Sequence, residues 1–131
     1  MADVNPGKRP LSPHLQVYRL PLNAYMSIVG QRVTGVAMAA SMVLIAWYFL
    51  ALAAGPDYFA VAENVLTSWF GVLALGLSAI GIWVHYMNGI RHLIWDTGSQ
   101  FGQKSVRRSA YIGLAAAAVM VVLTFIAAIA G

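Results

Sequence analysis

A chain of 131 residues in which 60% are hydrophobic and only 9% are charged has too little polar surface for a water-soluble domain. Its net charge of +4, from eight Lys and Arg against four Asp and Glu, forms no clustered stripe of the kind that binds nucleic acid. Cysteine is absent, which excludes disulfides, thiolate metal sites and covalent c-type haem attachment, so any metal must be held by His or carboxylate.

The first residues, Met1 to Arg9, lack both the apolar core of a signal peptide and the Arg/Ser-rich amphipathic pattern of a transit peptide. Insertion is therefore expected through the first helix itself. Residues 9–21 contain Pro10, Pro13 and Pro21 and alternate polar with apolar side chains, which predicts an extended or turn-like stretch. Residues 1–26 are read as an interfacial arm. A flexible tail is the plainer alternative, but Leu11, Leu15, Val17 and Tyr18 favour a docking surface.

Three apolar stretches follow, at about residues 27–54, 65–94 and 108–131. Each exceeds the roughly 20 residues that cross a hydrocarbon core, and a bilayer offers no hydrogen bonds to bare backbone, so each is predicted to be a helix. The expectation is one all-α integral membrane domain of three transmembrane helices. Lys8, Arg9, Arg19 and Arg32 lie before or at the start of the first helix, and Arg91, Lys104, Arg107 and Arg108 surround the second connection. The first connection, residues 55–64, carries only Asp57 and Glu63. Because cytoplasmic flanks retain Lys and Arg, the N-terminus is predicted to be cytoplasmic and the C-terminus periplasmic. The basic belt would meet anionic lipid headgroups or a partner protein. The third stretch is rich in alanine, with Ala115 to Ala118 consecutive, which allows close helix packing.

The end of the second stretch, residues 85–96, reads His-Tyr-Met-Asn-Gly-Ile-Arg-His-Leu-Ile-Trp-Asp. Ionisable groups at membrane depth are costly and usually mark function. On a helix, Gly89, His92 and Asp96 fall within about 40° of His85, and Ser78 and Gly81 extend the stripe backwards. His85 lies ~16 Å along the axis from Asp96, near mid-membrane. Taken alone, it could hydrogen-bond a neighbouring helix. With Gly81 and Gly89 one turn to either side, it becomes the nitrogen at the centre of a pocket that a flat macrocycle could enter. Iron ligation by a neutral imidazole fits that depth, and a bis-histidine site would need a second His from another subunit. Arg91 and His92 could pair with haem propionates or flank a quinone headgroup, while a snorkelling Arg91 and a charge-balancing Asp96 are the plain alternatives. At the same level, residues 27–35 open the first helix with Ser27, Gln31, Arg32 and Thr34. They offer donors to a carbonyl ligand, or equally a cap and a positive anchor.

Three motifs carry a resemblance: residues 9–19 (Arg-Pro-Leu-Ser-Pro-His-Leu-Gln-Val-Tyr-Arg), Ser27-Ile28 followed by Arg32-Val33-Thr34-Gly35, and His85-x-x-x-Gly89-Ile-Arg-His-Leu-Ile-x-Asp96. Together they resemble the cytochrome b556 membrane-anchor subunits of succinate dehydrogenase, respiratory complex II, in the bacterial form. The resemblance covers the arm and the first two helices; the third adds only hydrophobicity. It implies a multi-pass anchor in the bacterial inner membrane, paired with a second small anchor. Both would carry a flavoprotein and an iron-sulfur subunit, which hold the FAD and the iron-sulfur clusters. It implies that His85 is an axial ligand of one haem b, with the opposite ligand from the second anchor. Ser27 and Arg32 would line the ubiquinone site, and Arg32 and His92 would approach haem propionates. The chain would pass electrons to quinone without oxidising succinate, and no residue of it is expected to be catalytic.

One departure stands out. The family pattern is Ser-x-x-x-Arg, often with His before the Arg, whereas here Ser27 lies five positions before Arg32, with four residues between them, and Gln31 precedes the Arg. On a regular helix the extra residue turns Ser27 from ~40° to ~140° away from Arg32. A local bulge near Gly30 would keep both donors on one side. Two other functions compete: a haem-free structural anchor, and the anchor of a fumarate reductase working in reverse. A small transporter would need paired charges or broken helices at mid-depth, and the sequence supplies neither.

Overall fold

The computed structural model describes residues 21–131. The arm motif at residues 9–19 therefore lies outside the described residues. Among those described, the chain is helical apart from short connections, in the order α1 (Pro21–Ser27), a π-helical segment (Ile28–Val33), α2 (Thr34–Ala54), α3 (Pro56–Thr67), α4 (Trp69–Asp96) and α5 (Gln103–Ala130). Three helices are long and apolar enough to cross a membrane: Leu22–Ala54, Trp69–Asp96 and Gln103–Ala130. The first starts inside the expected arm, at Pro21, whose fixed φ suits a first helical turn. At 33 residues it measures ~50 Å, more than a bilayer core requires, so one end stands in the interface.

The connection at residues 55–64, expected as a loop, is mostly the helix α3. Gly55 turns the chain at φ 120°, Pro56 opens the new helix, and Asp57 in its first turn favours the positive end of the helix dipole. Glycine, proline and a carboxylate are loop signals in a sequence, and here they are the start signals of a short helix. The chain breaks again at Ser68, which is extended (ψ 158°) and accepts the Gly71 amide at 3.2 Å, so the second span begins at Trp69 rather than at residue 65. α4 ends where Gly98 takes a left-handed φ of 78° and its amide bonds the Trp95 carbonyl at 2.8 Å. α5 starts five residues before the apolar stretch that suggested it, because a first turn in the interface needs no apolar side chain.

The interior is built of small and polar side chains. Ala51, Ala62 and Ala110 are fully buried, and Ala117 nearly so, whereas Trp69 and Ile129 are 79% and 86% exposed. This inverts a soluble core and suits a lipid solvent, where close backbone approach and hydrogen bonds hold helices together. α2 meets α4 through Ser41 and Ser78, whose hydroxyls lie 2.7 Å apart. α4 meets α5 through Trp83 Nε1, which donates to Thr124 Oγ1 at 2.8 Å. α2 meets α3 through the edge-to-face pair Tyr48 and Phe59, with ring centroids 5.4 Å apart.

The α3–α4 corner is the tightest point. A Cβ on Gly71 would lie 2.3 Å from the Val65 carbonyl oxygen and 2.4 Å from that of Leu66. These are backbone atoms and cannot rotate away. Gly71→Ala should therefore open the corner and lower stability by about 1–3 kcal/mol, read as a reduced thermal midpoint in detergent. Gly113→Ala, where a Cβ meets nothing within 4 Å, serves as the control and should leave the midpoint unchanged.

Candidate functional site

The polar residues of α4 divide between two faces. His85, Asn88 and Arg91 turn inward toward α1, the π segment and α5, with Asn88 fully buried and Arg91 only 4% exposed. Among the described residues, a Cβ at Gly81 or Gly89 would meet nothing within 4 Å. His85 stands at the border. It lines a cleft of about 430 Å³ together with Gln31, Tyr86, Gly89, Ile90, His92 and Leu93. The stripe predicted from Ser78 to Asp96 is thus not a single surface: Ser78 is spent on Ser41, and Asp96 is exposed at the helix end.

The π segment delivers the partners of His85. Thr34 N–H reaches back to the Val29 carbonyl, the i→i+5 bond of a widened turn. The bulge expected near Gly30 is therefore present, at Ile28–Val33. It aims Gln31 and Thr34 at α4. Thr34 Oγ1 lies 3.0 Å from His85 Nδ1 and 2.9 Å from the Gly30 carbonyl, and Gln31 Nε2 lies 3.5 Å from His85 Nε2. Gly35 packs beside the imidazole, where a Cβ would come into contact at 3.4 Å from His85 Cε1.

Proton bookkeeping along this network fixes the histidine tautomer. Arginine can only donate. Arg91 Nη1 donates to Asn88 Oδ1 at 3.3 Å, so the Asn88 amide nitrogen faces the other way and donates to Gln31 Oε1 at 2.9 Å and to the Met26 carbonyl at 3.2 Å. Gln31 Oε1 is thereby the acceptor, which turns its Nε2–H₂ group toward His85 Nε2. That nitrogen must then carry the lone pair. The other end agrees: the single Thr34 hydroxyl proton goes to the Gly30 carbonyl, so Thr34 Oγ1 accepts from His85 Nδ1–H. Amide orientations are assigned by such networks, and here both ends select the same one.

The arrangement offers one imidazole, held at Nδ1 by Thr34 and set at the wall of a cleft. Among the described residues, no group of three or more His, Cys, Asp or Glu could hold a bare metal ion. A single imidazole suffices only for a metal already carried in a macrocycle, and the donation of the second ring N–H to an oxygen is what orients such a ligand. The residues therefore fit a haem.

Of the other predicted residues, His92 lines the same cleft and packs edge-on against Trp95, with centroids 5.2 Å apart. Ser27 closes α1, half-buried, and Arg32 lies in the π segment with its side chain exposed; neither lines the cleft. Arg91 does not snorkel. It bonds Ser109 Oγ at 3.0 Å, the Val106 carbonyl at 3.2 Å and Asn23 Oδ1, and lies 4.1 Å over the Trp95 ring. Sequence reasoning missed Asn88 and the role of Thr34. The signal for Asn88 was its i, i+3 spacing from both His85 and Arg91.

Comparison with known proteins identifies the family. Residues 5–124 match the family described as succinate dehydrogenase/fumarate reductase transmembrane subunit. A succinate dehydrogenase cytochrome b556 subunit from Paracoccus denitrificans is 46% identical over 126 residues, 96% of each chain. One from Rickettsia bellii is 35% identical over 100 residues, 76% of this chain and 77% of that one. The mitochondrial succinate dehydrogenase cytochrome B subunit of Schizosaccharomyces pombe is 36% identical over 112 residues, 82% of this chain and 62% of that one. With nearly its whole length matched, the chain belongs to the succinate dehydrogenase/fumarate reductase transmembrane subunit family, alongside the cytochrome b556 subunits.

Proposed function

We propose that the chain is the haem b- and ubiquinone-binding anchor of a succinate:quinone oxidoreductase, with His85 Nε2 as an axial ligand of the haem iron. The observation that carries this reading is the pair of contacts on the ring, Thr34 Oγ1 at Nδ1 and Gln31 Nε2 at Nε2, which assigns the lone pair to the nitrogen nearest Gln31, at a cleft beside a bare glycine. The naming of its relatives as cytochrome b subunits supports it. When bound, the haem would supply a one-electron carrier at mid-membrane. Thr34 would hold the imidazole ring, and Gly89 would admit the macrocycle edge. His92, on the same cleft, and Arg32 would serve the propionates.

The second anchor subunit would give the opposite ligand, and the flavoprotein and iron-sulfur subunits would sit on the cytoplasmic face with the N-terminus. Localisation in a bacterial inner membrane follows from the same reading. Arg32 is an exposed cation in the π segment, and a guanidinium can donate to a quinone carbonyl. In that segment's widened turn, residues five apart stack more nearly than the ~140° of a regular helix would allow, so Ser27 and Arg32 would approach the headgroup from one side.

A second reading has one observation in its favour: Gln31 Nε2 already faces His85 Nε2, which would make His85 a structural link in a haem-free anchor. At 3.5 Å that contact is at the weak limit of a hydrogen bond, so a stronger ligand would displace it.

The reduced-minus-oxidised spectrum of the purified complex separates the two. His85→Ala should abolish the b-type absorbance while the other subunits remain bound; unchanged haem content would exclude His85 as the ligand. Thr34→Val keeps the shape but removes the acceptor for Nδ1–H. It should retain the haem and raise its reduction potential, because a less basic imidazole stabilises ferric iron less. Arg32→Leu should impair succinate-driven quinone reduction and spare reduction of a soluble dye by the flavoprotein. Parallel loss of both activities would instead point to failed assembly.

A further inference from the structure

We propose that a second cleft, between α4 and α5, binds an anionic phospholipid. Its phosphate would lie at the polar end and one acyl chain in the apolar trough that continues along the two spans. This cleft shares only Ile90 with the lining of the His85 cleft, and it does not rest on the haem or quinone reading.

Three observations carry it. The first is charge. Arg91 is 4% exposed, and its partners among the described residues, Asn23, Asn88, Ser109 and the Val106 carbonyl, are all neutral. The Trp95 ring beneath it offers a quadrupole, not a counter-charge. Among the described residues, four hydrogen bonds use four of the five guanidinium N–H groups. A sealed charge without an opposite charge is costly, and this one lines a cavity of about 640 Å³, within the size range of small-molecule sites. Arg108, which is exposed, lines the same cavity and adds a second cation.

The second observation is an orphan donor. Among the described residues, Trp95 Nε1 is buried with no hydrogen-bond partner, and Trp95 is part of the cavity wall. Buried indole N–H groups normally have an acceptor. An anionic oxygen in the cavity would provide one.

The third is the layout of the cavity along the helices. Ser105 and Arg108 lie at the end where α4 stops and α5 starts and Arg91 about one turn deeper than Trp95, whereas Met87, Ile112 and Gly113 lie further into the spans. A Cβ on Gly113 would meet nothing within 4 Å, so the trough has an open floor. Cations and an N–H donor at the helix ends, with an apolar channel running inward, match a lipid phosphate with its chain. A free anion would leave the channel empty.

The test uses the purified complex that contains this chain, held in mild detergent with equal phosphatidylglycerol and phosphatidylcholine, and weighed by native mass spectrometry. The native complex should retain phosphatidylglycerol in preference to phosphatidylcholine. Arg108→Gln, at an exposed position, and Trp95→Phe, which keeps the ring and removes only the N–H, should each weaken that preference by about tenfold, the worth of one charge-assisted hydrogen bond. Arg91 is left intact because it joins α1, α4 and α5. Comparing variant with native complex isolates this site from every other lipid contact of the assembly. Equal retention by native and both variant complexes would overturn the proposal. So would displacement of the lipid by inorganic phosphate, which would make the ligand a soluble anion.

Discussion

Arg91 can give hydrogen bonds but cannot accept them, and the interior of this bundle is organised around that one-way property. From Arg91 the donations run through Asn88 and Gln31 to His85 Nε2, and on the far side of the ring from His85 Nδ1–H through Thr34 to the Gly30 carbonyl. Each amide has only two orientations, and the guanidinium at one end, together with the Met26 carbonyl that also takes an Asn88 N–H, removes the choice for all of them. A neutral side chain at position 91 would leave the orientation of Asn88 to the Met26 carbonyl.

Magnitudes say what such a network does. Interhelical hydrogen bonds in membranes average about 0.6 kcal/mol, so the gain from each bond is small. Leaving a buried partner unsatisfied costs about 1–3 kcal/mol, which is larger. The network therefore specifies more than it stabilises: any shift of α1 or α5 against α4 strands several buried groups at once. Asn23 on α1 and Ser109 on α5 both bond the same guanidinium, and that is how two elements 86 positions apart in sequence are held to one register on α4.

The membrane class and the three spans were legible because hydropathy is summed over some 20 residues and tolerates local detail. Residues 85–96 were legible too, since two His, an Arg and an Asp in a greasy run are conspicuous. The helix starts were not. Pro21, Gly55 with Pro56, and Gly102 are all signals that begin a helix as readily as they end one, and only tertiary packing decides between the two. Periodicity also grouped Ser78, His85 and His92 on one stripe without revealing that α2 packs against part of it. Asn88 escaped notice for a related reason: its amide is ordinary until Gln31, 57 positions away, is brought beside it.

The widened turn at Ile28–Val33 connects the sequence anomaly to the site. An extra residue between Ser27 and Arg32 must either rotate everything after it by about 100° or be absorbed locally. Rotation would carry Thr34 off the α4 face and take away the acceptor for His85 Nδ1–H. It would also turn Ser41, whose hydroxyl lies 2.7 Å from that of Ser78, away from its partner two turns further on. Absorption in a π segment confines the change to six residues and keeps the α2–α4 contacts in phase. Contacts on α4 that both depend on phase, at His85 and at Ser78, thus account for why the strain of an inserted residue is taken up ahead of them and is not passed along the helix.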